Sequence, residues 1–239
     1  MNTAIILAGG IGKRVGSEIP KQFLSVNGKP ILAHTVQIFQ DHDEIDRIVI
    51  VCVSGWEDEV KHIRAKYGLD KIERIIPGGK NSMESISNGI FGIEDISSPD
   101  DIVIIHDSVR PLIDRETISD CIAICRKYGN GCASIPIQET IVETDDHLSG
   151  NKDIDRSNIM RVQTPQAYRY GPVNKLYKDA YEKGIDNSVY TNTLMLRFGH
   201  PIYFSKGSMT NFKITVIDDL DLFKILLNYY SSKRDRQSS

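Results

Sequence analysis

Five runs of apolar residues recur along the first 135 positions: "AIILA" (4–8), "RIVIVCV" (47–53), "ERIIP" (73–77), "DIVIIH" (101–106) and "CASIPI" (132–137). They are rich in β-branched residues and continuous rather than alternating, the pattern of strands covered on both faces. Between them the apolar positions take a helical period. "KPILAHTVQIFQ" starts at Pro30 and puts Ile31, Leu32, Thr35, Val36 and Phe39 on one side. "SMESISNGIFGI" (82–93) and "RETISDCIAICRKYG" (115–129) behave alike, the second stopping at Gly129. Strands alternating with helices predict an α/β fold, a doubly wound and mostly parallel sheet whose ligands bind beyond the carboxyl ends of the strands.

Residues 138–162 interrupt this rhythm. "TIVET" and "IMRV" read as short strands about a polar turn, either a long surface hairpin or a dimerisation arm. Near the end, Leu220, Phe223, Leu227 and Tyr230 form one helical stripe, and the polar stretch 231–239 is expected to be mobile. No internal repeat appears, and the whole of 1–239 reads as one domain.

Composition narrows the function classes. Apolar residues make up 40% and the net charge is −3, so a general electrostatic grip on nucleic acid is not expected. No apolar run approaches membrane-spanning length, and Ala4–Ala8 has no basic segment before it, so a cytoplasmic protein without membrane contact is the expectation. The four cysteines, Cys52, Cys121, Cys125 and Cys132, form no C-x-x-C pair and read as small buried hydrophobes rather than zinc ligands.

Candidate chemistry begins where the first strand ends. Gly9, Gly10 and Gly12 let backbone N–H groups approach an anion, and Lys13, Arg14 and Lys21 add fixed positive charge, a combination suited to polyphosphate. A dinucleotide fingerprint does not fit: Gly10, Gly12 and Gly16 are spaced one residue too long, and no acid lies between Glu18 and Asp41. A Walker loop does not fit either, because Arg14 follows Lys13. A nucleotidyltransferase loop and a plain surface turn remain. In "IVIIHDSVRP" (102–111), Asp107 ends a central strand, where it either holds Mg²⁺ or caps a turn; Arg110 either orients Asp107 or reaches phosphate. Further on, "RVQTPQAY" and the strand-like "NFKIT" stand near Arg156, Arg161 and Lys213, each of which alone reads as a solvated charge.

"LAGGIGKRVG", "PKQF", "HDSVRP", "TPQAY" and "NFKIT" in this order and spacing resemble the CTP-dependent polyol-phosphate cytidylyltransferases over nearly the whole chain. That family includes enzymes acting on ribitol 5-phosphate and on 2-C-methyl-D-erythritol 4-phosphate. "LAGG" and "HDSVRP" look more like the ribitol branch, which feeds cell-surface polysaccharide.

The resemblance implies a Rossmann-like fold with a β-arm exchanged across a homodimer. It implies transfer of CMP from CTP to a small polyol phosphate, giving a CDP-polyol and pyrophosphate, with Mg²⁺. Leu7, Ala8, Gly9, Gly10, Gly12 and Lys13 would line the CTP site, and Gly79, Lys80 and Ser85 would face the base and ribose. Arg14 and Lys21 would act at the α-phosphate, and Asp107 would meet CTP through the metal. Arg110, Arg156, Thr164, Thr191 and Lys213 would hold the polyol phosphate. Arg14, Lys21, Arg156 and Lys213 are the implied catalytic set. Two departures stand out: Ser82 replaces a usual arginine in "GGKNS", and either Val189–Tyr190 or Thr191–Asn192 stands where the family has Thr-Asp. The methylerythritol enzyme and a non-catalytic nucleotide-binding protein are the alternatives.

Overall fold

A computed structural model of the chain describes residues 1–10 and 19–237, with side chains as far as 233. In chain order, β1 (Asn2–Ala8) is followed by a 3₁₀ turn (Lys21–Phe23) and a small ribbon of β2 (Ser25–Val26) and β3 (Lys29–Pro30). Then come α1 (Ile31–Gln40), β4 (Arg47–Cys52), α2 (Glu57–Tyr67), β5 (Ile72–Pro77) and α3 (Ser82–Phe91). The middle of the chain gives β6 (Ile102–Asp107), α4 (Arg115–Tyr128), β7 (Asn130–Pro136), β8 (Ile141–Glu143), β9 (Lys152–Ile154) and β10 (Met160–Arg169). It ends with α5 (Tyr170–Glu182), α6 (Thr191–Arg197), β11 (Phe204–Lys206) and α7 (Ile217–Gln237).

Seven strands form the central sheet in the order β11-β7-β10-β6-β1-β4-β5. All neighbours are parallel except β10, which runs antiparallel to both β6 and β7. The apolar runs are continuous because successive residues face two different cores. Ala4, Ile6, Ile48, Ile50, Ile102 and Ile104 pack against α1, α2 and α4 through Val36, Phe39, Val60, Ile63, Ile118 and Ile122. The residues between them, Ile5, Val49, Val51, Val103 and Ile105, pack on the other face with Ile86, Ile90, Leu176, Tyr177 and Leu194. Helix boundaries follow local chemistry: Asn81 and Asp114 accept a backbone N–H as N-caps of α3 and α4, and Gly129 ends α4 with φ 90°.

Two expectations need correction. "IMRV" is not a short arm strand but the start of β10, which crosses the sheet between β6 and β7. Gln163, Thr164 and Gln166 are buried there and hydrogen-bonded, so a central strand has the hydropathy of a loop. "NFKIT" (211–215) is not a strand; it is held instead by the Ile214 N–H donating to the Val109 carbonyl (2.9 Å). From Ser231 the polar tail continues α7 as far as Gln237, with no glycine or proline to end the helix. Phe223 of the predicted stripe is fully buried, and Leu220 and Leu227 pack in the same small core as Val26, Ile31, Val109 and Ile214.

The remainder of the interrupting segment, β8 and β9, forms a separate antiparallel ribbon, with Val142 half exposed and Leu148 92% exposed. Among the described residues no helix is long and apolar enough to cross a membrane.

Candidate active site

A cleft of about 650 Å³ opens beyond the carboxyl ends of β1, β4, β5 and β6. Two glycine turns form its floor. After Ala8 the chain turns through Gly9 and Gly10, and after Pro77 through Gly78 and Gly79. The turns touch: a Cβ on Gly78 would lie 3.3 Å from the Gly9 Cα and 3.2 Å from the Cys52 carbonyl. A Cβ would be tight at Gly9 and Gly78 and would clash with Glu84 at Gly79, whereas Gly10 has open space around it. Gln22, buried in the "PKQF" turn, fixes the first of these turns by donating to the Ala8 carbonyl (2.7 Å) and the Gly10 carbonyl (3.0 Å). Phe23 stacks on Trp56 at 4.7 Å and anchors that 3₁₀ turn to the body. Lys21 lines the cleft and donates to the Ile214 carbonyl at 2.8 Å. Gly12, Lys13 and Arg14 lie outside the described residues.

The second turn leads into α3. Ser85 Oγ accepts the Gly79 N–H (2.9 Å), and Glu84 accepts the Lys80 N–H (2.8 Å). Gly79, Lys80, Ser82 and Ser85 all line the cleft, with Ser82 opening the helix where the resemblance expects arginine.

Asp107 is the focus of the other side. Parallel pairing of β1 with β6 sets Leu7 beside Asp107, so the carboxylate emerges next to the first glycine turn. Asp107 is 5% exposed and surrounded by donors. Arg110 Nε donates to Oδ2 at 3.1 Å, Lys213 Nζ lies 3.2 Å from the same oxygen, and the Tyr190 hydroxyl donates to it at 3.2 Å. Lys213 in turn donates to the Tyr190 oxygen at 2.7 Å. Burial alone would raise the Asp107 carboxyl, but Lys213 and then Arg110 outweigh it and hold the group below the usual carboxylate range. Burial likewise works against a charged Lys213, yet Asp107 and Tyr190 keep it above the ordinary lysine value. The pair is therefore ionised at neutral pH.

Behind the carboxylate runs a buried chain of hydrogen bonds. The Asp107 N–H donates to Thr164 Oγ1 (3.1 Å), which lies 3.1 Å from His106 Nδ1. His106 Nε2 is 3.3 Å from the Arg110 carbonyl. A carbonyl only accepts, so Nε2 carries the proton and Nδ1 accepts from Thr164. Burial pushes the His106 imidazolium down to about 3, which keeps the ring neutral and this direction fixed.

The structure brings together Leu7, Gly9, Gly10, Lys21, Gly79, Lys80, Ser85, Asp107 and Lys213 on one cleft. Other expected residues are placed differently. Ala8 is buried beneath the turn, its carbonyl taken by Gln22. Thr164 is buried under Asp107 rather than open to a substrate. Arg110 points its guanidinium at Asp107 and at the Asn211 carbonyl (2.8 Å), the orienting one of its two readings. Thr191 is fully buried, bonded to the Tyr177 hydroxyl (2.9 Å); the neighbouring Tyr190 enters the cleft in its place. Arg156 sits away from the cleft in a 3₁₀ turn after β9, donating to the Gln138 carbonyl. Arg161 is exposed beside Met209. Gln22 is a site residue that the sequence reading misses, its signal being a polar residue inside the apolar-flanked "PKQF" turn; of the two pairs that could stand for the family's Thr-Asp, the structure turns Tyr190 to the cleft.

Asp107 is the one carboxylate lining the cleft among the described residues, and no group of three or more potential metal ligands occurs among them. With Lys21, Lys80 and Lys213 around it, the cleft suits a polyanion. A hard divalent cation fits only where substrate phosphates and water complete its oxygen shell, which is the habit of Mg²⁺. The cysteines are all free and buried, and burial pushes the Cys52, Cys125 and Cys132 thiols up to about 12, as expected of inert hydrophobes.

Comparison with known proteins agrees with this geometry. Residues 2–229 match the family model described as IspD, 2-C-methyl-D-erythritol 4-phosphate cytidylyltransferase. The chain is 45% identical over 229 residues to the ribitol-5-phosphate cytidylyltransferase of Lacticaseibacillus paracasei, covering 95% of this chain and 98% of that one. It is 34% identical over 230 residues to the 2-C-methyl-D-erythritol 4-phosphate cytidylyltransferase of Clostridium novyi, covering 95% and 96%. Among solved structures, the Francisella tularensis 2-C-methyl-D-erythritol 4-phosphate cytidylyltransferase superposes with a TM-score of 0.77 at 28% identity, covering 93% of this chain and 98% of that one.

The neutral His106 has a measurable consequence. In the unfolded chain an ordinary histidine takes up a proton near pH 6.5, whereas the folded one does so only near 3. Between those values the unfolded state binds more protons, so stability falls as pH is lowered, by up to about 1.4 kcal/mol per pH unit from this group. The lowered pKa of His34 adds a term of the same sign. Urea unfolding at pH 7, 6 and 5 measures the slope, and His106→Gln is expected to make it shallower.

Proposed function

The chain belongs to the IspD family of cytidylyltransferases, and from that premise we propose that it transfers CMP from CTP to ribitol 5-phosphate, giving CDP-ribitol and pyrophosphate. The observation that carries the reading is Asp107 at the end of β6, flanked by Lys213 on one side and the Gly9–Gly10 turn on the other. The choice of acceptor is supported by relatives named ribitol-5-phosphate cytidylyltransferase at 45% and 35% identity.

CTP would lie across the sheet, with its base and ribose at Gly79, Lys80 and Ser85 and its phosphates over the Gly9–Gly10 turn. The acceptor phosphate is already an anion near neutral pH. One of its oxygens attacks the α-phosphorus, and the bond from that phosphorus to the pyrophosphate oxygen breaks. No proton has to be removed, which agrees with a cleft that offers cations and backbone donors rather than a base. Lys21 neutralises charge spreading over the α-phosphate, and Lys213 holds the attacking phosphate. Catalysis is thus alignment and charge compensation. Asp107 would hold Mg²⁺, which when bound neutralises charge on the triphosphate oxygens. Arg110 keeps the Asp107 carboxylate aimed forward.

Arg156 is off the cleft of its own chain, on an exposed ribbon that presents Val142 and Leu148. In this reading the ribbon seats on a second copy and delivers Arg156 to that copy's acceptor phosphate, so the working unit is a homodimer. The reaction takes place in the cytoplasm, where it supplies an activated polyol for cell-surface polysaccharide.

Two experiments test this reading. With CTP and Mg²⁺, pyrophosphate release is expected to be at least tenfold faster with ribitol 5-phosphate than with 2-C-methyl-D-erythritol 4-phosphate, and to stop in excess chelator. The reverse preference would make the chain an enzyme of the methylerythritol branch, and full activity in chelator would remove Mg²⁺ from the account. For the dimer, Arg156→Ala and Lys213→Ala chains, each nearly inactive, should regain activity when subunits are exchanged, because one hybrid site recovers both residues. Confirmed heterodimers without activity would show that the ribbon does not complete its neighbour's site.

A further inference from the structure

The hydroxyl of Tyr190 stands between the two charged groups on which the site turns. It accepts from Lys213 Nζ at 2.7 Å and donates to Asp107 Oδ2 at 3.2 Å, while Lys213 and Asp107 are themselves 3.2 Å apart. The three groups come from separate parts of the chain: the end of β6, the turn before α6, and the extended segment 211–215. Nothing in Asp107 and Lys213 alone requires a third member, because a carboxylate and an ammonium at that distance are already paired.

The backbone of Tyr190 is anchored for this task. It is the N-cap of α6, its carbonyl accepts from Thr193 Oγ1 (2.7 Å) and Ser188 Oγ (3.0 Å), and its N–H donates to Thr193 Oγ1 (3.3 Å). Val189 beside it is 62% exposed, whereas the Tyr190 ring turns inward and lies under Lys213, 5.4 Å from the nitrogen. An aromatic ring held by its own backbone bonds is a rigid mount for a hydroxyl.

Position along the sheet decides which substrate this mount serves. The Gly78–Lys80 turn follows β5, three strands from β6 in the order β6-β1-β4-β5. At about 4.8 Å between strands, Tyr190 and Asp107 stand roughly 14 Å from the base end of the cleft. A hydroxyl there is out of reach of the nucleoside and adjacent to the lysine that meets the attacking phosphate.

We propose that Tyr190 is a positioning residue for the acceptor: its hydroxyl fixes Lys213 Nζ toward the acceptor phosphate and shares the Asp107 charge, so that Lys213 is not drawn wholly onto the carboxylate. This inference rests on the functional reading above. Without the hydroxyl, Asp107 loses one donor and takes Lys213 more closely, and the acceptor phosphate meets a cation that is less free and less well aimed. The base and ribose end, at Gly79, Lys80 and Ser85, is untouched.

Tyr190→Phe removes the oxygen and leaves the ring. The KM for the acceptor is expected to rise about tenfold, the size of effect of one hydrogen bond to a charged group. The KM for CTP should stay within twofold, and the unfolding midpoint in urea should be unchanged. Because the effect passes through Lys213, Tyr190→Phe placed in a Lys213→Gln chain should change acceptor kcat/KM by less than twofold. Equal losses for both substrates, an unchanged acceptor KM, or a full tenfold loss in the Lys213→Gln background would each overturn the proposal. A loss of folding in Tyr190→Phe would overturn it as well, by making the hydroxyl structural. The acceptor used is whichever of the two polyol phosphates the wild-type chain turns over. A wrong ribitol assignment therefore shows in the wild type, and a wrong role for Tyr190 shows only in the variants.

Discussion

A buried carboxylate with more cationic than anionic neighbours is the constraint on which this site depends. Asp107 is nearly inaccessible, and a carboxylate withdrawn from water without partners is strongly disfavoured. Arg110 and Lys213 supply the compensating charge, and the Tyr190 hydroxyl adds a further donor. One negative group between two positive ones leaves the mouth of the cleft electropositive. That surplus draws in a polyphosphate and stabilises the charge that moves when one phosphate displaces another.

The same requirement explains why remote segments converge. Arg110 reaches past Asp107 to the Asn211 carbonyl, and Asn211 donates to the Thr164 carbonyl at 2.8 Å. Thr164 in turn ties the Asp107 N–H to His106. Each of these bonds spans from about fifty to a hundred residues of sequence, apart from those within "HDSVR" itself. The antiparallel β10, unusual in an otherwise parallel sheet, is what carries Thr164 under the carboxylate. The glycine turns, by contrast, are set by close backbone approach, with Gln22 clamping the first and Ser85 and Glu84 the second. Charge organises one end of the cleft and steric exclusion the other.

Much of this was legible in the chain. Continuous β-branched runs identify β1, β4, β6 and β7 because each is covered on both faces, the edge strand β5 keeps the same pattern while only partly buried, and periodic apolar positions with a proline start or a glycine stop identify α1 and α4. Position at a strand end was enough to single out Asp107. The sequence was silent where polar residues are buried for structural reasons. "VQTPQA" looks like a loop and is a central strand, because its glutamines and threonine are satisfied by one another and by neighbouring backbone. The resemblance places Thr164 and Thr191 at the substrate, whereas in the structure both side chains are buried and hydrogen-bonded inside the fold. Tyr190 belongs to one of two pairs that could stand for the family's Thr-Asp, and only the turn before α6, which aims it between Asp107 and Lys213, decides for it. Arg156 belongs to a ribbon whose role lies outside a single chain.

Asp107 and Lys213, 3.2 Å apart, hold each other in place at the heart of the site. A double-mutant cycle on unfolding free energy, with Asp107→Asn, Lys213→Met and the double substitution measured in urea at pH 7, tests this mutual hold most directly. Asp107→Asn leaves Lys213 without its counter-ion and Lys213→Met leaves the buried Asp107 with Arg110 as its one remaining cation, so the double variant should be less destabilised than the sum of the two, with a coupling of at least about 1 kcal/mol. Effects that add to within about 0.5 kcal/mol would contradict the account.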